Sequence, residues 1–493
     1  MGQIFTRYPQ RIQRFFEILL PTISWLLITM PFWLSFRHPA LVAYIVITFD
    51  VYWFYKSITL AYHAMRSFIT MRAHVAIDWL SLAKSVKEFP NLYHVVIVPE
   101  FHEPIHILRR TLENLTNQDY PKERLIVVLA TEAKDPDASE TIRILKEEFG
   151  NRFGHFLTTT HVLTADEVAG KSSNMAWAGK EVVKELKKWR IPIEQVTVTS
   201  CDADAMLHPK YFSYLSYTFL TDPDRLYHFY QGAILFYSNI WRIPLPSRVL
   251  NTMNSIWNLS LLSQGNRLIN FSTYSLPLAT AVAAGYWGVD VIPEDYHLFF
   301  KVYFMLGQKV RTKSIFLPIL VDAAESHGFW RTMVNQYEQA KRWAWGISDV
   351  PFVIKNTLIH NEIAFPDRLR RLLQLLEQHI FWPANWFILT IGSSIPPIIN
   401  PAFRRTVLGH NLSSLSSGIL TVSAAFLLVV IILDARTKPP RPKEFARWRL
   451  PFLYLQWLTL PIVSFFLGAL PGLDAHTRLM LGKRLEYRVT EKV

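Results

Sequence analysis

Long apolar runs stand at both ends of this chain and are missing from its middle, which fixes its basic plan. Residues 15–36 and 41–62 each reach the roughly 20 residues needed to cross a bilayer. Apolar character returns at 380–399, 419–433 and 450–470. Between them, 66–365 carries no comparable run and reads as one globular domain. The first run is long for a signal-peptide core, lacks a small-x-small cleavage site, and is followed at once by a second run. Arg7, Arg11 and Arg14 precede it, which predicts a cytoplasmic N-terminus and a hairpin returning the chain to the cytoplasm. The loop 436–449 holds Arg436, Lys438, Arg441, Lys443, Arg447 and Arg449 against the single acid Glu444, so it is expected on the same side. A full crossing at 450–470 would export the basic tail (Arg478, Lys483, Arg484, Arg488, Lys492). The run is therefore expected to be re-entrant or to lie along the interface, leaving four firm spans. The expected division is a membrane hairpin at 1–65, a cytoplasmic domain at 66–365 and a membrane region at 366–493.

The net charge of +13 fits loops facing anionic lipid. No basic-aromatic motif points to nucleic acid. The single cysteine, Cys201, excludes an internal disulfide and a cysteine-cluster zinc site. No His-x-x-x-His spacing suggests a zinc hydrolase.

Inside the central domain, short β-branched runs at 94–98, 125–130 and 195–200 alternate with helical patterns. This predicts an α/β domain whose mostly parallel sheet is covered by helices on both faces. Ligands of such sheets bind beyond the carboxyl ends of the strands. Glu103, Glu132 and the pair Asp202/Asp204 each follow one of these strand ends, so acidic groups converge on one crevice.

Four motifs populate that crevice. In Asp202-Ala203-Asp204 the carboxylates stand at i and i+2 and face one side of extended chain. Such hard oxygen ligands suit Mg²⁺ or Mn²⁺ shared with a diphosphate, although a solvated turn looks the same locally. Pro293-Glu294-Asp295 opens a helix expected to run to Leu306 and stop at Gly307. Acids favour helix starts in any case, but one of this pair is placed to deprotonate a hydroxyl if partly buried. Gln339, Arg342 and Trp343 share one helix face. There the guanidinium can meet a diphosphate and the indole can lie under a sugar ring; an amphipathic interfacial helix accounts equally for the pattern. Gly170-Lys171-Ser172-Ser173-Asn174 leads a loop into a helix, where Lys171 and free N–H groups can hold phosphate or the serines can simply cap.

With these residues in view, the chain resembles the family 2 membrane glycosyltransferases, the group that includes cellulose and hyaluronan synthases. Val98-Pro99-Glu100-Phe101-His102-Glu103 resembles the family's Pro-x-Tyr-Asn-Glu start, with His102 in place of Asn. Lys171 to Asn174 resembles Lys-x-x-Asn. Asp202-Ala203-Asp204, Glu294-Asp295 and Gln339-x-x-Arg342-Trp343 are similar to Asp-x-Asp, Glu-Asp and Gln-x-x-Arg-Trp. Thr131 to Asp135 stands where the family has an Asp-Asp-Gly-Ser-like stretch. The segment 283–288 lacks the Phe-Phe-Cys-Gly acceptor signature, so cellulose itself is not implied.

The resemblance implies a GT-A-like domain and inverting hexosyl transfer from a nucleotide-diphosphate sugar, a UDP-sugar, to a polysaccharide, with Mg²⁺ or Mn²⁺. It implies Asp295 as base beside Glu294. Donor contacts fall to Glu103, Glu132, Lys171, Asp202 and Arg342, acceptor contacts to Gln339 and Trp343, and the metal to Asp204 with Asp202. Gln-x-x-Arg-Trp leans toward processive synthesis. Transfer of one sugar to a lipid carrier or lipid-linked acceptor is the alternative enzyme, and a silent membrane scaffold the alternative of another class. The expected location is the cell membrane.

Overall fold

The computed structural model describes residues 9–443, 445–446, 448, 450–485 and 490–492. Arg7, Glu444, Arg447, Arg449 and Arg488 lie outside the described residues.

Eight strands form one sheet: β1 Tyr93–Pro99, β2 Leu125–Glu132, β3 His155–His161, β4 Val196–Ser200, β5 Met206–Leu207, β6 His228–Leu235, β7 Tyr274–Pro277 and β8 Arg311–Leu320. Their order is β3-β2-β1-β4-β7-β6-β8-β5. The first four are mutually parallel; β7 runs antiparallel between β4 and β6; β8 is parallel to β6, and β5 pairs antiparallel with β8. This is the mostly parallel arrangement expected from the alternating strands and helices, and it agrees with the GT-A-like domain that the resemblance implies, with predicted strand ends shifted by one or two residues.

Side-chain alternation explains why β1 and β2 read as continuous apolar runs. Val96 and Val98 of β1 and Leu125, Val127 and Leu129 of β2 pack on one face with Leu108, Leu112 and Leu115 of the helix Ile105–Thr116. Val95, Ile97, Ile126, Val128 and Ala130 point the other way, onto Met175, Ala178, Val182 and Leu186 of the helix Lys171–Trp189. Each strand is buried on both faces, as parallel strands with crossover helices must be. A truncation such as Leu129→Ala, at a fully buried site, costs about 2–5 kcal/mol.

Among the described residues, four helices are long and apolar enough to cross a membrane: Pro9–Leu34, Pro39–Ala76, Val407–Thr437 and Leu450–Met480. This set differs from the expected one in two places. The run 380–399 is divided between the separate short helix Ile395–Ile399 and the end of the helix Phe365–Ile391, whose first half carries Asp367, Arg368, Arg370, Arg371 and Glu377. That helix nevertheless packs beside the membrane helices: Ala384 and Ile388 join Ile28, Met30, Val42 and Val46 in a small separate core. Conversely, the run at 450–470 continues to Met480 and is long enough to cross. Pro461 and Pro471 lie within it, and its turns tighten at Gln456–Thr459 and widen at Phe465–Ala469, the local adjustments that missing N–H groups demand. Arg14, near the start of the first helix, donates to the carbonyl of Leu479 at 2.7 Å and to that of Met480. A cation thereby satisfies the orphan acceptors ending the last helix, and the two ends lie side by side.

The helix Pro39–Ala76 runs without a break past residue 65, and Ala64, Phe68 and Met71 near its end enter the core beneath the sheet. One continuous helix therefore links this candidate membrane-crossing segment to the core beneath the sheet.

Candidate functional site

Strand ends place the acidic groups. Beyond β1, the chain turns through His102, which has a left-handed φ of 59°. Asn and His are among the few non-glycine residues that accept this conformation. The turn is pinned by Asp135, which accepts the His102 N–H at 3.0 Å and that of Asp137 at 3.0 Å, while the imidazole lies 3.2 Å from its other oxygen. The turn delivers Glu103 into the crevice. Glu100 behind it is buried; burial, then the negative charges of Asp135 and Glu103, push its carboxyl up to about 8.

Beyond β2, Glu132 is held by His161 at 3.0 Å, and the far imidazole nitrogen reaches Glu167 at 3.0 Å. Burial raises the Glu132 carboxyl and His161 partly offsets it. Beyond β4, Asp202 and Asp204 diverge in their partners. Asp202 accepts from Lys171 at 2.7 Å, from the Ser272 hydroxyl and, on its backbone N–H, is held by Thr273. Burial would raise Asp202, but Lys171 outweighs it and the carboxyl stays below its ordinary range. Asp204 accepts the Asp322 N–H at 2.8 Å and pairs with Lys492 at 2.8 Å. Burial raises its carboxyl against the pull of Lys492.

Pro293 is the cap of the helix Glu294–Leu306 rather than its first residue, and Gly307 with φ 81° ends it as expected. Glu294 faces Lys171 at 2.7 Å and the Tyr274 hydroxyl at 3.4 Å. Burial, opposed by Lys171, pushes its carboxyl up to about 8. Asp295 accepts two backbone N–H groups, from Tyr296 at 2.8 Å and Ser272 at 3.1 Å. Burial, stronger than those bonds and Lys171 together, raises it above the ordinary aspartate range. Lys171 heads its helix from a glycine cap, with no side-chain cap; Ser172 and Ser173 donate instead to carbonyls. Its amine spans Asp202, Glu294 and the Ser272 carbonyl, which hold it charged despite burial.

Gln339, Arg342 and Trp343 lie on the helix Phe329–Ala344 and line the same space. The Gln339 amide oxygen accepts from Gln336 at 2.8 Å, Arg342 donates to the Thr490 hydroxyl, and Trp343 packs against Phe236. All ten residues singled out in the sequence (Glu103, Glu132, Lys171, Asp202, Asp204, Glu294, Asp295, Gln339, Arg342 and Trp343) line one cavity of about 980 Å³. It extends away from the carboxylates into an arm bounded by Tyr52, Trp53, Trp257, Phe381, Trp382 and Asn385. In that arm Glu377 accepts from Tyr52 at 2.6 Å, from Arg267 at 3.0 Å and from Lys56.

Several cavity residues gave no signal in the sequence. Ser272 belongs to no motif. Lys492 and Thr490 read as part of a basic tail, yet Glu491 between them pairs its backbone with Asn335 and Glu325, which carries the segment into the cavity. Asp322, after β8, pairs with Arg110 at 2.6 Å and keeps its other oxygen buried without a partner.

Among the described residues, no three His, Cys, Asp or Glu side chains form a complete metal cage. Mg²⁺-type sites completed by substrate phosphates need only one or two carboxylates, and Asp204 with Asp202 fits that donor set.

The profile of the family described as Glycosyl transferase family group 2 matches residues 197–470, more than half of the chain. No curated protein matches it in sequence. Among solved structures, a mannosyltransferase from Pyrobaculum calidifontis, in complex with GDP-Man and Mn²⁺, aligns at 15% identity over 77% of this chain and 100% of its own, with a TM-score of 0.42. S. aureus TarS in complex with UDP-GlcNAc aligns at 12% identity over 80% and 93%, TM-score 0.39. GalNAc-T7 with UDP, GalNAc and Mn²⁺ aligns at 10% identity over 59% and 58%, TM-score 0.34.

Proposed function

The chain belongs to glycosyl transferase family group 2, and from that premise we propose a membrane-bound, inverting enzyme that extends a polysaccharide from a UDP-sugar, with its catalytic domain in the cytoplasm. The observation that carries this reading is the shape of one cavity. Its charged end gathers Lys171, Asp202, Asp204 and Asp295, and its other arm passes between indole rings toward the membrane helices. Indole faces suit sugar rings. Trp53, His379 and Asn385 line the cavity, while their Nε1, Nδ1 and amide oxygen atoms are themselves buried without a protein partner. Indole faces along the arm favour a glycan acceptor over a lipid carrier.

Asp295 takes the proton from an acceptor hydroxyl. Burial makes it more basic than an exposed aspartate, and the N–H groups of Ser272 and Tyr296 fix its direction. The acceptor oxygen forms its bond to the anomeric carbon from the face opposite the diphosphate, and the electron pair of the breaking bond leaves with the diphosphate. Lys171 and Arg342 supply positive charge on the donor side, with Glu103 and Glu132 lining the nucleotide end. Asp202 would bind ribose or help Asp204 hold the cation. Mg²⁺ or Mn²⁺ on Asp204 would neutralise charge building on the leaving diphosphate. Gln339 and Trp343 orient the acceptor. We place the membrane part within 1–65 and 366–493, around a domain of 66–365, with residues 490–492 returning to the cavity.

The test is UDP release by purified protein in lipid across a panel of UDP-sugars with Mg²⁺ or Mn²⁺, with products sized on a gel. The expected result is metal-dependent release with one donor and a growing ladder. A single lipid-linked product would overturn the polysaccharide reading, and silence with every nucleotide sugar would overturn the reading as a whole.

A further inference from the structure

Ser272 touches donor side, base and bridging lysine together. Its hydroxyl donates to Asp202 Oδ2, its N–H donates to Asp295 Oδ2 at 3.1 Å, and its carbonyl accepts from Lys171 at 2.8 Å. It does so with a left-handed φ of 57°. Serine adopts that conformation at a cost that glycine escapes. The neighbours enforce it. Phe271 N–H is held by Gln231 Oε1 at 2.9 Å, the same fully buried amide donates to the Thr273 carbonyl at 3.1 Å, and Asn270 donates to the Asp295 carbonyl at 2.9 Å. Backbone contacts to Asp295 and Lys171 need no side chain here. What serine adds over glycine is the hydroxyl on Asp202. A strained backbone, fixed from both sides, whose only gain is a bond inside the cavity is a mark of function.

We propose that Ser272 is a positioning residue for the transfer. Its backbone aims the base, its hydroxyl fixes Asp202, and so it sets the spacing between the donor and the attacking hydroxyl. The inference rests on Asp295 acting as base.

The experiment compares Ser272→Gly, Ser272→Ala and Asp295→Asn in the full chain in lipid, reading turnover, UDP affinity and thermal midpoint. Ser272→Gly keeps both backbone contacts, relieves φ and removes the hydroxyl. It is expected to hold or raise the midpoint and to lower turnover roughly 10- to 100-fold, the equivalent of one hydrogen bond to a charged group, with UDP affinity changed by less than about threefold. Ser272→Ala is expected to lose as much turnover as the glycine variant while melting earlier, because it retains the strain. Wild-type turnover in Ser272→Gly would overturn the proposal. So would turnover that tracks the midpoint through both variants, since that is a purely structural role. Asp295→Asn separates the premise: if it stays active the base assignment fails, whereas an inactive Asp295→Asn beside a fully active Ser272→Gly refutes the positioning role alone.

Discussion

The two ends of the cavity are built on opposite principles. At the catalytic end the buried charges are cross-paired: Lys171 against Asp202 and Glu294, Lys492 against Asp204 with Glu103 at 3.7 Å. In the arm toward the membrane helices, Trp53, His379 and Asn385 each leave a buried polar atom unpartnered. The first end is dominated by these buried ion pairs, although Asp322 keeps one oxygen without a partner. The second has a single charged cluster, Glu377 with Lys56 and Arg267, among neutral polar and aromatic groups. Charges cannot be buried unpaired, whereas neutral donors and acceptors can wait at a cost of about 1–3 kcal/mol each.

Four substitutions sharpen or break that contrast. The largest effect is expected from Lys171→Met, which strands Asp202 and Glu294. Breaking a buried pair costs about 3–5 kcal/mol, so thermal unfolding should shift down clearly and turnover should vanish; an unchanged midpoint would show that the carboxylates do not depend on this amine. Next is Asp295→Asn, expected to lower turnover by about 10² or more with UDP binding nearly intact. The base must be deprotonated to act and burial raises its carboxyl. The acid limb of kcat/KM should therefore lie above the range of an exposed aspartate and be absent from the residual activity of this variant. Asp204→Ala comes third: calorimetric titration should show UDP binding losing its dependence on Mn²⁺. The smallest is His379→Ala in the arm, expected to raise the acceptor KM by roughly fivefold, the loss of about 1 kcal/mol of contact at the cavity wall, while donor hydrolysis without acceptor stays at the wild-type rate. Loss of both activities together would assign His379 to folding instead.

What the sequence disclosed follows the same division between local and distant causes. Strands β1 and β2 were legible because burial on both faces leaves uninterrupted β-branched runs, and the acids after them follow from chain direction. The helix Glu294–Leu306 was bounded by its own proline and glycine. By contrast, β6 and β7 bury Gln231 and Ser275 and carry no such run. Ser272 has meaning only through partners on three other elements. The run 380–399 is split between the end of the helix Phe365–Ile391 and the short helix Ile395–Ile399, which hydropathy alone does not reveal, and 450–480 is longer than its apolar run because prolines interrupt that helix without ending it. Lys492 looked like a surface charge; only the pairing of Glu491 with Asn335 brings it inward.

That lysine changes how a metal ion meets this enzyme. Asp204 already holds a resident counter-ion, delivered by the protein's own tail at 2.8 Å. A divalent cation held there would have to displace this ammonium, so its apparent affinity would be the difference between two pairings rather than the strength of one. A diphosphate brought in with the metal gives the displaced ammonium a new anion to sit beside, so donor and metal are expected to load together more readily than either does alone.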